Sequence, residues 1–136
     1  MTPELSLQKA IRDRLVGSAE ITSHVPAANI LDRNERPNPT PSIILGECHS
    51  VDEGDSIARR LTRIYCDIHV WKREPSTVGV KIIAGHARIA LHQRLVLDAG
   101  FHCADSRLAS VRIMRDPDGE TSHAILTLSA LVEDLI

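Results

Sequence analysis

The chain has 136 residues, of which 43% are hydrophobic and 25% are charged, with 16 basic and 18 acidic side chains. This length and composition are typical of one globular domain and exclude a disordered tail, a collagen-like fibre and a coiled coil as the main architecture. The formal net charge of −2 and an aromatic content of 2% argue against a protein that grips nucleic acid, because phosphate binding needs a basic excess and base stacking needs rings.

The cysteines and the N-terminal segment indicate the cellular compartment in which the protein is made. The cysteines Cys48, Cys66 and Cys103 are odd in number and form no C-x-x-C motif, which favours free thiols in a reducing compartment. Residues 1–11 lack the apolar run of a signal peptide, and no stretch reaches the roughly 20 apolar residues of a membrane span. We therefore expect one domain over residues 1–136, made in a cytoplasm, with no membrane partner.

Apolar residues at helical spacing predict two helices. The first runs from Leu5 to Val16 and ends at Gly17. The second follows a turn at residues 72–75, begins with Ser76 or Thr77 as its cap, and runs to about Leu97. Both have one apolar face, so we expect both to pack on the same layer.

Two segments have no sustained period. Residues 18–41 contain four prolines, and their only short apolar piece is residues 29–31, so they are interpreted as an extended surface segment. The acidic stretch at residues 50–56 is interpreted as a mobile loop or hairpin tip. A calcium loop is less favoured there, because the stretch lacks the order of an EF-hand.

Alternation of apolar and polar residues predicts four strands. They cover residues 42–48, 60–71, 108–115 and 122–132, and the last two flank a turn at residues 116–119. The predicted element order is α-β-β-α-β-β. We therefore expect an α+β fold, with a four-stranded, mostly antiparallel sheet and two helices packed on one face.

The longest predicted strand separates core from surface. Ile64 and Cys66 share the apolar face of this strand with Ile68 and Val70, so Cys66 is predicted to lie in the core. The opposite face carries polar residues together with Tyr65 and Trp71. Exposed tryptophan is enriched at protein interfaces, although Trp71 could instead lie beneath the proline-rich segment.

The residues expected at a partner or subunit interface combine this face with the acidic loop. They are Arg63, Tyr65, Trp71, Asp52, Glu53 and Asp55.

Seven histidines and three cysteines raise the question of a metal site or a catalytic site. Neighbours such as Cys48 and His49 point to opposite faces of a strand, and the chain has no HExxH, no nucleophile elbow and no phosphate-binding glycine loop. We therefore expect no metal, no cofactor and no catalytic residue. A small enzyme or ligand-binding domain stays a less favoured alternative, and it would need His69 and Asp67 to converge with Cys48 or His102 in a pocket.

An ordered set of short segments resembles a known family. Residues 37–41 read PNPTP, 43–47 read IILGE, 69–71 read HVW, 80–85 read VKIIAG and 115–119 read RDPDG. Together they resemble the tail completion proteins, or tail terminators, of tailed bacteriophages and gene transfer agents. The resemblance covers about residues 5–132, and no single motif in it is diagnostic.

This resemblance implies a structural, non-enzymatic virion protein, assembled in the bacterial host cytoplasm. It implies a ring of copies of the chain, usually a hexamer, that caps the tail tube, ends its polymerisation and joins the tail to the head connector. The major tail tube protein and the head-side connector or stopper are the expected partners, and DNA passes through without sequence-specific binding. The alternative within the same assembly is a head-completion adaptor or stopper at the neck.

Overall fold

One β-sheet carries two long helices on one face. The computed structural model describes residues 1–32, 40–54 and 57–135. In chain order the elements are α1 (Pro3–Val16), α2 (Ala19–Thr22), a short 3-10 helix (Ala27–Asn29), β1 (Ile30–Leu31), β2 (Ser42–Asp52), β3 (Leu61–Arg73), α3 (Val78–Ala90), β4 (Phe101–Arg115) and β5 (Thr121–Asp134). No helix among these residues is long and apolar enough to cross a membrane.

The strands lie in the order β1-β2-β3-β5-β4. Only β1 and β2 are parallel, and the other three pairs are antiparallel. The pairing of β3 with β5 runs without a register shift from Leu61 opposite Glu133 to Arg73 opposite Thr121. The pairing of β2 with β3 contains a bulge between Leu45 and Cys48, which bends β2 near its middle.

The core fills the space between the helices and the sheet. Residues one helical turn apart are buried in both long helices: Leu7, Ile11 and Leu15 in α1, and Val80, Ile83, Ala84 and Ala87 in α3. The sheet contributes alternate residues of β3 and β5, in which Ile64, Ile68, Val70, Leu126, Leu128 and Val132 are almost fully inaccessible. The predicted core position of Cys66 is confirmed, since only 4% of it is exposed.

Side-chain oxygens accept hydrogen bonds from backbone N–H groups in the first turns of both long helices. The Thr2 hydroxyl accepts a hydrogen bond from the Leu5 amide at 3.1 Å, at the N-terminus of α1. At α3 the backbone N–H of Gly79 donates to Glu74 Oε1 at 2.8 Å. A Cβ atom at position 79 would collide with the other oxygen of Glu74, so glycine lets the carboxylate sit against the helix terminus.

The α+β architecture with helices on one face agrees with the prediction, but the described residues form a sheet of five strands rather than four. The fifth strand is β1, which has only two residues and pairs through Ile30 opposite Ile43. The segment predicted as extended also contains α2, and it buries Ile21, Val25 and Ile30. These positions follow no regular period, because each belongs to a different short element.

Three predicted boundaries were also wrong. The second long helix ends at Ala90 rather than near Leu97, although Leu91 and Leu95 beyond it are still buried. The following strand, β4, begins at Phe101 rather than at residue 108. The strand predicted at residues 42–48 continues to Asp52, so part of the expected acidic loop is extended strand.

Two isoleucines of α3 test whether the buried stripe holds the helix on the sheet. Ile83 is fully buried, whereas 73% of Ile89 is exposed. We expect Ile83→Ala to lower the free energy of unfolding by about 2–5 kcal/mol, because it removes apolar contacts and leaves a cavity. Ile89→Ala is the matched control and should change it by no more than about 0.5 kcal/mol. Urea denaturation of both variants makes the comparison, and equal losses would contradict the packing described here.

Candidate functional site

The sheet has a second face, which points away from α1 and α3 and is called the open face here. On β3 the exposed fraction alternates along the strand: Ile64 is buried, 39% of Tyr65 is exposed and Cys66 is buried again. The residues of β3 on the open face are Leu61, Arg63, Tyr65, Asp67, His69, Trp71 and Arg73. This is the polar face that was predicted to carry Tyr65 and Trp71.

Three rings form a stack at one end of the open face, and they are called the Trp71 cluster. Trp71 lies directly opposite His123 on the neighbouring strand, and their ring centroids are 3.6 Å apart at an angle of 9°. Nδ1 of His69 and Nε2 of His123 are 2.8 Å apart, so one ring nitrogen donates to the other. Trp71 is therefore half-buried against its own sheet, with its outer edge accessible.

His123 of this cluster is kept neutral at physiological pH by its surroundings. Burial lowers the pKa of His123 to about 4, and the neighbouring His69 and Arg112 add to the effect, because a positive charge beside another is unfavourable. A neutral imidazole can donate or accept at Nε2, so His123 makes the hydrogen bond to His69 without carrying a charge. The stacked rings of Trp71 and His123 thus form a flat aromatic surface with polar ring edges and no charge on His123.

Gly46 on β2 makes room for this arrangement. A Cβ atom at position 46 would lie 2.7 Å from Cδ2 of His69 and 2.8 Å from its Nε2. Any larger residue would push the imidazole away from its hydrogen bond to His123. The glycine of the IILGE segment is therefore required by a close approach between strands.

The middle of the open face is polar and internally bonded. Thr127 Oγ1 donates to Asp67 Oδ1 at 2.8 Å, across the β3–β5 pair. Arg63 donates to Ser129 Oγ at 3.3 Å and lies 3.7 Å from Glu53 Oε1. These bonds fix the direction of the side chains, so this part of the face has a defined shape.

The structure brings together some of the predicted interface residues and separates others. Arg63, Tyr65 and Trp71 share the open face, and Glu53 joins them through Arg63. Asp52 pairs instead with Arg59 at 3.1 Å, on the connection between β2 and β3. Asp55 lies outside the described residues. Whether any of these residues contacts a partner stays a prediction.

The side chains needed for the alternative enzyme hypothesis have other partners. His69 bonds to His123 and Asp67 accepts from Thr127, while the Cys48 sulfur lies 2.8 Å from that of Cys66. His102 lies on β4, opposite Glu133. Within residues 1–32, 40–54 and 57–135, no group of three or more histidine, cysteine or acidic residues could hold a metal ion.

Sequence reasoning missed His123 as a member of the site. The alternation of β5 places it on the outer face, but its contact with Trp71 depends on the register between two strands. Both β3 and β5 alternate between inward and outward residues, and aligning the two patterns would have placed His123 beside Trp71. This alignment is useful only once β3 and β5 are known to be neighbours.

The lowered pKa of His123 gives a stability prediction. An unfolded chain protonates this histidine near its ordinary value of 6.5, whereas the folded chain does so only near 4, so the unfolded state binds more protons as the pH falls through this window. Because of this difference, we expect His123 to lower the free energy of unfolding by about 2 kcal/mol when the pH falls from 7 to 5. Stability conferred by the neutral imidazole is thus present above pH 6.5 and lost towards pH 4.

His123→Gln should remove this contribution, so the free energy of unfolding should fall less between pH 7 and pH 5 than it does in the wild type. The control is His92→Gln, since His92 is exposed and lies outside the cluster. Urea denaturation at each pH measures the difference. A wild-type loss that His123→Gln does not reduce would contradict the assignment.

Comparisons with known proteins give a family and a shared fold. The family model described as Tail completion protein gp17 matches residues 9–133. A solved chain from the structure described as "Virion of native gene transfer agent (GTA) particle" has a TM-score of 0.83, is 20% identical, and is aligned over 96% of both chains, which shows a shared fold. No curated protein gave a significant match. The chain belongs to the tail completion protein gp17 family.

Proposed function

We propose that copies of this chain form a ring that caps the end of the tail tube, ends tube polymerisation and joins the tail to the head-side connector. The proposal rests on family membership together with one structural observation: the open face is bounded by two strand edges of different character. A closed ring needs two unlike patches on each subunit, because each contact joins one patch to a different one on the next copy.

The two edges differ in both length and charge. β4 is the last strand of the sheet, and its exposed charged side chains are three arginines and one carboxylate: Arg107, Arg112, Arg115 and Asp105. At the other side β1 covers only the start of β2, and the uncovered half carries the exposed Glu47 and Asp52. A basic edge and an acidic edge on opposite sides of one sheet favour head-to-tail association, because opposite charges set the register and suppress like-with-like contacts.

The Trp71 cluster is the best-suited contact for the tail tube. Tryptophan residues dominate binding energies when they fill a partner's pocket, and here the ring is already fixed by stacking on His123. A fixed side chain loses little conformational entropy on binding. The cluster is therefore assigned to the tube protein, and the two strand edges to neighbouring copies of the chain.

The net charge suits a channel for DNA. A ring of chains that each carry a net charge of −2 does not hold the phosphate backbone strongly, because retention requires a basic excess. DNA can then pass through the ring without sequence-specific binding.

The function is tested by removing the chain from the particle that carries it. Terminators limit tube growth, so we expect particles lacking this protein to yield overlong tails without heads in negatively stained images. Restoring the wild-type gene should restore tails of uniform length. Tails of normal length that fail to join heads would overturn the terminator assignment and support the neck adaptor instead.

Trp71→Ala tests the contact surface. We expect it to weaken association with tube ends by about 2 kcal/mol or more, roughly 30-fold in affinity, because a central tryptophan contact is lost. Ile89→Ala is the control, as it truncates an exposed apolar side chain on α3 rather than on the open face. Co-sedimentation with tube protein measures association, and thermal melting measures the fold. Unchanged association with reduced thermal stability would contradict this role for Trp71.

A further inference from the structure

Two of the three cysteines face each other across neighbouring strands. Cys48 on β2 and Cys66 on β3 are direct partners in the antiparallel register, just after the bulge in β2. Their sulfur atoms lie 2.8 Å apart. Cys48 is exposed and Cys66 is buried, so one thiol of the pair can be reached from solvent.

We propose that Cys48 and Cys66 are a modification site that low-molecular-weight disulfides, such as glutathione disulfide, convert into a cross-strand disulfide bond. The sequence alone predicted free thiols. The proposal does not depend on the ring, and it stands or falls on the chemistry of the isolated chain.

The backbone already has the geometry that a disulfide bond needs. Directly opposed residues of antiparallel strands have Cα atoms about 4.5–5.5 Å apart, inside the 4.4–6.8 Å range of disulfides. The two sulfur atoms already point at each other, as their hydrogen-bond contact shows. To close the bond, the two sulfur atoms must approach from 2.8 Å to the roughly 2.05 Å of a disulfide, a shift that rotation of the side chains can supply.

The two thiols differ in a way that assigns their roles. The hydrogen bond between the two thiols lowers the pKa of Cys48 and raises that of Cys66, and burial raises the pKa of Cys66 further. The exposed Cys48 is thus the thiol that reaches the thiolate form first, so it is the attacking group. The buried Cys66 is the resolving group.

The reaction balances in two exchange steps. The Cys48 thiolate attacks one sulfur of glutathione disulfide, forms a mixed disulfide and releases one glutathione thiolate, which takes up the proton that Cys48 lost. The Cys66 sulfur then attacks Cys48 Sγ, releases the second glutathione and transfers its proton to it. Both cysteines are oxidised, and one glutathione disulfide is reduced to two glutathione molecules.

Cys103 provides an internal control. It is buried on β4, with its thiol donating to the carbonyl oxygen of Asp105 at 3.3 Å, and burial raises its pKa. In the sheet order β5 separates β4 from β3, so Cys103 has no cysteine beside it. It should stay a free thiol under the same conditions.

The bond would stabilise the part of β2 beyond the bulge, where fewer strand pairings hold the sheet together. β1 pairs with β2 only at Ile43 and Ile44, so beyond the bulge β3 is the only strand that pairs with β2 within the described residues. A covalent link at Cys48 restricts the unfolded chain and holds this edge in register. A particle released from a reducing cytoplasm would gain this link outside the cell.

The experiment treats the purified full-length protein with glutathione disulfide or with a reductant, then blocks free thiols by alkylation. The three cysteines fall in different tryptic peptides, covering residues 34–59, 64–72 and 95–107. We expect the first two peptides to be joined in the oxidised sample, with one alkylated thiol left at Cys103. We also expect the melting temperature of the oxidised form to rise by about 5 °C or more.

Variants distinguish this pair from unspecific oxidation. Cys48→Ser changes an exposed residue and should keep the fold, but this variant should form no intramolecular disulfide. Cys103→Ser should still form the linked peptides. A stable glutathione adduct on wild-type Cys48, a disulfide that includes Cys103, or three free thiols after treatment would each overturn the proposal.

Discussion

The pairing of β3 with β5 is the constraint on which the other features depend. The two strands run side by side without interruption from Leu61 opposite Glu133 to Arg73 opposite Thr121. Because side chains alternate between faces, a slip of one residue would move the core of β5 to the outside and expose its apolar residues. Burial of that one face therefore fixes the register, and the register in turn sets Trp71 opposite His123 and Asp67 opposite Thr127.

Features that repeat along the chain could be predicted from the sequence. Ile64, Cys66 and Ile68 alternate with polar residues, so both the strand and its buried face followed from local pattern alone. The stripes of α1 and α3 followed in the same way from helical spacing. The outward position of Trp71 followed from the same alternation, and the structure confirms it. In each case the physical cause of the pattern lies within a few residues of chain.

Features that join distant segments could not be predicted. The contact between His69 and His123 spans 54 residues, and it needs a strand order that no local pattern contains. Cys48 faces Cys66 only because a bulge lies before it, and a bulge leaves no clear trace in hydrophobic alternation. β1 consists of two residues held by tertiary pairing, too short for any period to show. Helix α3 ends before the apolar spacing does, because Leu91 and Leu95 are buried by packing rather than by helical geometry.

The contact role that we propose for the Trp71 cluster places two opposing demands on its surface, which would be in water before assembly and buried afterwards. Exposed apolar rings promote aggregation, whereas charged groups are costly to remove from water. The Trp71 cluster meets both demands, since two imidazoles share a hydrogen bond, offer polar edges to water and stack their flat faces with the indole. The low pKa of His123 keeps its ring uncharged at neutral pH, so a docking partner would not have to desolvate a cation. The same packing that neutralises the histidine also fixes the tryptophan, so this end of the open face already has the rigid shape that the proposed contact would need.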